Sequence, residues 1–130
     1  MRRAASRCVN LGVLHTIQAL ASSLPVRCLD TDQVLFAAGE PGCSIFAVVS
    51  GALELRWGAG GSECFGPGDV IGLDALLSEA HRRHGTARAL EASELLEMNR
   101  EQFLFAVQET PMFAIELMAG LERRLRRLEG

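Results

Sequence analysis

The stretch LFAAGEPGCSIFAVVSGALEL, residues 35–55, decides the fold. "VLF", beginning one residue earlier, runs into the turn "AAGEPGCS", and "IFAVV" is parted from "ALELRW" by Ser50-Gly51. Short apolar or alternating runs broken by Gly and Pro are the marks of β-strands joined by turns. The same texture extends from about Val26 to Asn99: "GAGG" at 58–61 can close a hairpin, Pro67-Gly68 makes another turn, and "TARALEA" and "ELLEMN" supply two more strands. Turn signals recurring roughly every ten residues favour a small barrel or sandwich over a parallel sheet with crossover helices.

Both flanks change period. Upstream, Leu11, Leu14, Ile17, Leu20 and Leu24 recur at three- to four-residue spacing, as in an amphipathic helix with an apolar face to bury. "MRRAASRCV" has the Arg and Ser bias of a targeting peptide, but Asn10, His15 and Gln18 interrupt the apolar centre that a signal peptide needs, so organellar import is the minor reading. Downstream, Asn99 can cap a helix with Gln102 at its third position, and Thr110 precedes Pro111 at the first position of a second helix. In that second helix Ala114, Met118, Leu121, Leu125 and Leu128 follow the alternating four-three spacing of a heptad seam. The register makes Arg124 a g position and Glu129 the matching e position of a parallel partner; the other reading is a helix packed on its own barrel. A single domain is expected over 1–130, with a helical segment at 1–25, the strands at 26–99 and C-terminal helices at 100–130.

Composition narrows the function. The 130 residues, 48% hydrophobic, suffice for one core and not for two. The formal charge is −3 and all 13 basic side chains are Arg, so no global basic field points to nucleic acid. Arg123, Arg124, Arg126 and Arg127 form a local basic cluster, which reads as a solvated face, with Glu122 placed to pair with Arg126. Cys8, Cys28, Cys43 and Cys64 contain no C-x-x-C pair, which argues for free thiols in a reducing compartment rather than a zinc or iron-sulfur site. No run approaches the roughly 18 apolar residues of a membrane span. A soluble cytoplasmic protein without membrane contact is expected.

The candidate chemistry lies in GPGDVIGLDALLSEAHRRHGTARAL, residues 66–90. A short helix opening after Gly72 would offer unpaired backbone N–H groups and a positive dipole end to an anion, and an Arg guanidinium can clamp phosphate oxygens in a bidentate way. His81 and His84 form H-x-x-H, but with no third ligand nearby the expectation is two exposed histidines and no metal. No nucleophile-base pair, carboxylate dyad or H-x-H cluster emerges, so the chain is not read as an enzyme.

The succession of a helix, "LFAAGEPGCSIFAVVSGALEL", "GPGDVIG", an Arg-bearing loop and the capped "TPMFAIELMAGLERRLRRLE" resembles the sensory domain of the CRP/FNR superfamily, from about Leu11 to Gly130. The resemblance implies a mainly β fold with flanking helices: a double-stranded β-helix, or jelly-roll-like β-roll, with an N-terminal helix and a long C-terminal helix. It further implies a regulatory module that senses a ligand and forms a homodimer through the long helix, usually ahead of a DNA-binding helix-turn-helix. The sequence stops where that second domain would begin, so no sequence-specific DNA binding is expected of this chain alone. The alternative is a ligand-free scaffold, or a protein-interaction module that uses the C-terminal helix.

In the family's phosphate-binding cassette a Gly-Glu pair starts a one-turn helix and an Arg follows about ten residues later. Gly72, Leu73, Asp74, Ala75, Arg83 and His84 match that segment, with Arg82 as the alternative to Arg83; His84 stands where a small hydroxyl residue is common. Leu73 replaces the glutamate that accepts the ribose hydroxyl. Leaving that hydroxyl unpaired costs about 1.5–3 kcal/mol, roughly one to two decades of affinity, so cyclic nucleotides are expected to bind weakly. A small phosphorylated or other effector fits the remaining cradle. Asp74 sits about 100° further round the short helix, where its charge would repel a phosphate. Leu128 falls where cyclic-AMP-binding members present a hydroxyl to adenine. "GLDAL" with "ARALEAS" leans toward the FNR branch, yet Cys8 alone does not make the cysteine cluster of its oxygen sensors.

Overall fold

The run of residues 44–50 is apolar almost without a break because both faces of the strand are buried. In the computed structural model, which describes residues 24–77 and 81–129, β3 (Ser44–Ser50) sends Phe46 and Val48 into the interior of a roll and Ile45 and Ala47 toward the helices outside it. Period-two alternation thus divides one apolar run between two cores.

The other strands are β1 (Val26–Leu29), β2 (Val34–Phe36), β4 (Leu53–Trp57), β5 (Gly61–Phe65), β6 (Val70–Ile71), β7 (Thr86–Ala89) and β8 (Ser93–Asn99). They form two antiparallel four-stranded sheets, ordered β1-β8-β3-β6 and β2-β7-β4-β5. The sheets enclose a core containing Leu35, Phe46, Val48, Leu53, Ala87 and Leu95. This is the expected jelly-roll-like β-roll. "GAGG" closes the β4–β5 hairpin, whose register runs from Leu53↔Phe65 to Trp57↔Gly61. Of the strands, β1 and β6 carry no clear mark of their own in the sequence: β1 is exposed except at Leu29, and β6 has two residues.

After β8 the chain turns directly into α1 (Arg100–Glu109) through the expected capping box. Asn99 Oδ1 accepts from the Gln102 N–H and Gln102 Oε1 from the Asn99 N–H, both at 2.8 Å. The second helix, α2 (Met112–Glu129), leaves α1 at a bend of 112° around Thr110-Pro111. Phe113 and Leu117 of α2 and Ala106 of α1 pack with Ile45, Leu96 and Met98 on the outer face of the β1-β8-β3-β6 sheet. Among the described residues no single helix is long and apolar enough to cross a membrane. The helix expected at 1–25, including Leu11, Leu14, Ile17 and Leu20, and Cys8 with it, lies outside the described residues; Leu24 packs against the helix-side core. Cys28, Cys43 and Cys64 are exposed free thiols.

Candidate functional site

Residues 81–83 run antiparallel to the turn "GEPG". The Arg83 N–H donates to the Glu40 carbonyl at 2.8 Å and the Gly39 N–H to the Arg83 carbonyl at 2.7 Å, with a bridge between Pro41 and Arg82. In an extended segment successive side chains face opposite ways. Arg82 therefore lies outside, its Nη1 donating to the Gly39 carbonyl, while Arg83 turns inward and is only 4% exposed. Of the two candidate arginines it is therefore Arg83 that turns inward.

The inward guanidinium stacks on Phe36, 4.3 Å from the ring centroid, and its Nη2 donates to the Ser44 carbonyl at 2.6 Å. Two glycines make room for it. A Cβ on Gly42 would lie 2.1 Å from Arg83 Nε, and one on Gly72, whose φ is +87°, would lie 2.7 Å from Nη1. Gly72 therefore meets both demands, a left-handed backbone and a close approach. Nη1 faces the Gly72 carbonyl at 3.4 Å and Asp74 Oδ1 at 3.5 Å, both long, and Nε is buried without a partner. Burial pulls the Arg83 pKa below its ordinary value, and Asp74 is the main influence against that shift.

The one-turn helix Leu73–Leu76 does open after Gly72, and its first turn carries Asp74. Asp74 has swung toward the base of the cradle. Besides facing Arg83, its Oδ2 lies 3.0 Å from His84 Nδ1 and 3.3 Å from His81 Nε2. The second approach is off the line of a hydrogen bond and leaves His81 Nε2 buried without one. The sequence expectation of two exposed histidines holds for His84 and fails for His81, whose side chain is 8% exposed. Its place beside the pinned turn, where the Gly42 N–H donates to the His81 carbonyl, accounts for the burial. Both rings converge on one carboxylate, and among the described residues no cluster of three His, Cys, Asp or Glu is arranged to hold a metal ion.

Beside this cluster the roll encloses a half-open cavity of about 130 Å³. Phe36, Leu55, Phe65, Ile71 and Leu73 line it, with Leu121 from α2. Gly72, Asp74, His84 and Arg124 complete its edge. Four of the six candidate cassette residues, Gly72, Leu73, Asp74 and His84, thus face one space. Arg83 stands behind Gly72, and Ala75 is buried in the helix-side core.

Arg124, a g position in the heptad register, reaches back to β5 of its own roll, its Nε and Nη2 donating to Glu63 at 2.5 and 3.0 Å while its guanidinium lies 4.5 Å from the Phe65 ring centroid. A heptad assignment cannot see an acidic partner on a strand sixty residues upstream. Of the candidate seam, Met118, Leu121, Leu125 and Leu128 are exposed and Ala114 is half-buried; Ile115 and Met112 are exposed beside it. The Glu122–Arg126 pair forms at 3.3 Å.

Four similarities bear on these features. The family model described as the cyclic nucleotide-binding domain matches residues 26–110. The chain is 38% identical over 97 residues to the "Cyclic AMP receptor protein" of Thermus thermophilus, covering 71% of this chain and 44% of that protein. It is 31% identical over 103 residues to "Lysophospholipase nte1" of Neurospora crassa, covering 75% of this chain and 7% of that one. The chain thus spans less than half the length of both relatives. In three dimensions it matches the Thermus thermophilus Catabolite Activator Protein at a TM-score of 0.68 and 30% identity, over 88% of this chain and 56% of the other.

Proposed function

We propose that this chain, which belongs to the cyclic nucleotide-binding domain family, is a ligand-sensing and dimerisation module of a regulator of the CRP/FNR type. The observation that carries the reading is that one helix has two duties. Leu121 and Arg124 of α2 form part of the wall of the roll's cavity, and the same helix presents Met118, Leu125 and Leu128 to the outside. A molecule entering the roll touches α2 directly, and a parallel partner helix covers the exposed stripe. Occupancy of the roll and geometry of the pair are then coupled through one rigid element.

Cyclic nucleotides are weak ligands on this reading, for two reasons. Leu73 offers the ribose hydroxyl no acceptor, and Asp74 already stands beside the guanidinium that would take the phosphate. Titration calorimetry tests it: wild type gives little heat with cyclic AMP or cyclic GMP, and Leu73→Glu gains roughly one to two decades of affinity. The carboxylate at Arg83 favours a second reading, in which the roll is a scaffold for α2, and no gain in Leu73→Glu together with no small molecule taken up by the roll would select it. For assembly, Met118→Glu combined with Leu125→Glu is expected to sediment as a folded monomer. A wild-type protein already monomeric at high micromolar concentration would remove the dimer.

A further inference from the structure

We infer that the roll's occupant is an uncharged, single-ring molecule of benzene to phenol size; this rests on reading the roll as a sensing compartment and names the class of molecule sensed. Size comes first. The cavity of about 130 Å³ is close to the roughly 150 Å³ apolar cavities that stay dry and take up benzene or xenon. It is well below the roughly 300 Å³ at which pockets for drug-sized ligands begin, the class to which a cyclic nucleotide belongs.

Lining comes second. Phe36, Leu55, Phe65 and Ile71 are buried side chains of the roll's own core, and the two phenylalanines offer rings for a third to stack on or meet edge-on. Every charge at the cavity's edge is already answered within the chain, Arg124 by Glu63 and Asp74 by Arg83. A charged ligand would leave its hydration for a wall without an unmatched counter-charge. An uncharged ring has far less hydration to give up on entering. One directional contact remains: the His84 ring stands at the cavity's edge with one nitrogen on Asp74, and its other nitrogen can hydrogen-bond a hydroxyl, which both donates and accepts.

The test is a titration of the full chain with phenol, toluene, benzoate and cyclic AMP, followed by the methyl signals of Leu55, Ile71 and Leu121. Phenol and toluene are expected to shift those signals saturably, phenol the more tightly, with benzoate and cyclic AMP at least about tenfold weaker than phenol. Leu73→Phe, which fills the space from a half-buried wall position, should abolish the response. Should that variant not fold, diffraction from wild-type crystals under xenon serves instead, with density for xenon between Phe36 and Phe65 as the supporting result. Benzoate or cyclic AMP binding as tightly as phenol would overturn the inference while leaving a sensing roll in place. Shifts from none of the four probes, with no xenon in the roll, would overturn it together with the sensing reading.

Discussion

Two arginines reach the roll from different elements, and each lies over a phenylalanine, Arg83 on Phe36 and Arg124 on Phe65. Their polar partners differ. Arg124 presents its fork edge-on to Glu63 and makes two charge-assisted bonds to one carboxylate. Arg83 has one short bond, to a backbone carbonyl; it reaches its carboxylate at 3.5 Å and has an unmatched Nε under Gly42. The more deeply buried arginine is the less well matched. An arginine built into a structural tie is satisfied by its own chain, whereas Arg83 is held by shape and only loosely by charge.

The sharpest way to break that comparison is to remove each guanidinium. Arg83→Met should cost the most, about 2–4 kcal/mol in urea denaturation, because it takes the guanidinium from a half-buried Asp74, leaving it only the histidines, and removes the side-chain donor to the Ser44 carbonyl. Adding Asp74→Asn to Arg83→Met should recover part of the loss, which a double-mutant cycle reads directly. Arg124→Met should cost less, about 1–2 kcal/mol, because water can reach Glu63 once the helix end loosens. A larger loss at Arg124 than at Arg83 would reverse that ranking.

The smallest effect concerns Asp69, beneath the Arg124 end of the roll. Burial raises its pKa against the opposing pull of the Gly66 N–H, Arg127 and Arg124. The folded protein thus holds that proton more tightly than the unfolded chain does. The resulting stability is present below the unfolded value of about 3.9 and fades as pH rises through the folded one. Asp69→Asn keeps an acceptor for the Gly66 N–H, so it should leave acid stability nearly unchanged and raise neutral stability relative to wild type. Urea midpoints at about pH 4 and about pH 7 check the sign; parallel curves for the two proteins would show that Asp69 carries no such linkage.

Glycine and proline punctuation made β2 to β5 legible, because the breaks between them coincide with turns that those residues make easily, whereas the β7–β8 turn at Leu90–Ala92 contains neither. The capping box was legible for the same local reason: Asn99 and Gln102 act across three residues. Long-range choices were not. Nothing near Asp74 in sequence says that it will face Arg83, because the antiparallel pinning of residues 81–83 to the turn at 39–42 decides which arginine turns inward. The glutamate that captures Arg124 is likewise visible only once β5 lies beside α2. Leu73, by contrast, was readable as a departure from the cassette, because it occupies a single position adjoining an identifiable glycine.

The pairing of β1 with β8 has a consequence for the architecture of longer proteins. Val26 opens the roll opposite Leu96, a few residues before β8 gives way to α1 at Asn99. The chain therefore enters and leaves the barrel side by side, through neighbouring strands of one sheet. A unit with adjoining entry and exit can be spliced into a host polypeptide without forcing distant parts of that host together. Such a doorway suits a part that evolution can carry intact from one chain to another, leaving the surrounding machinery to decide what its occupancy means.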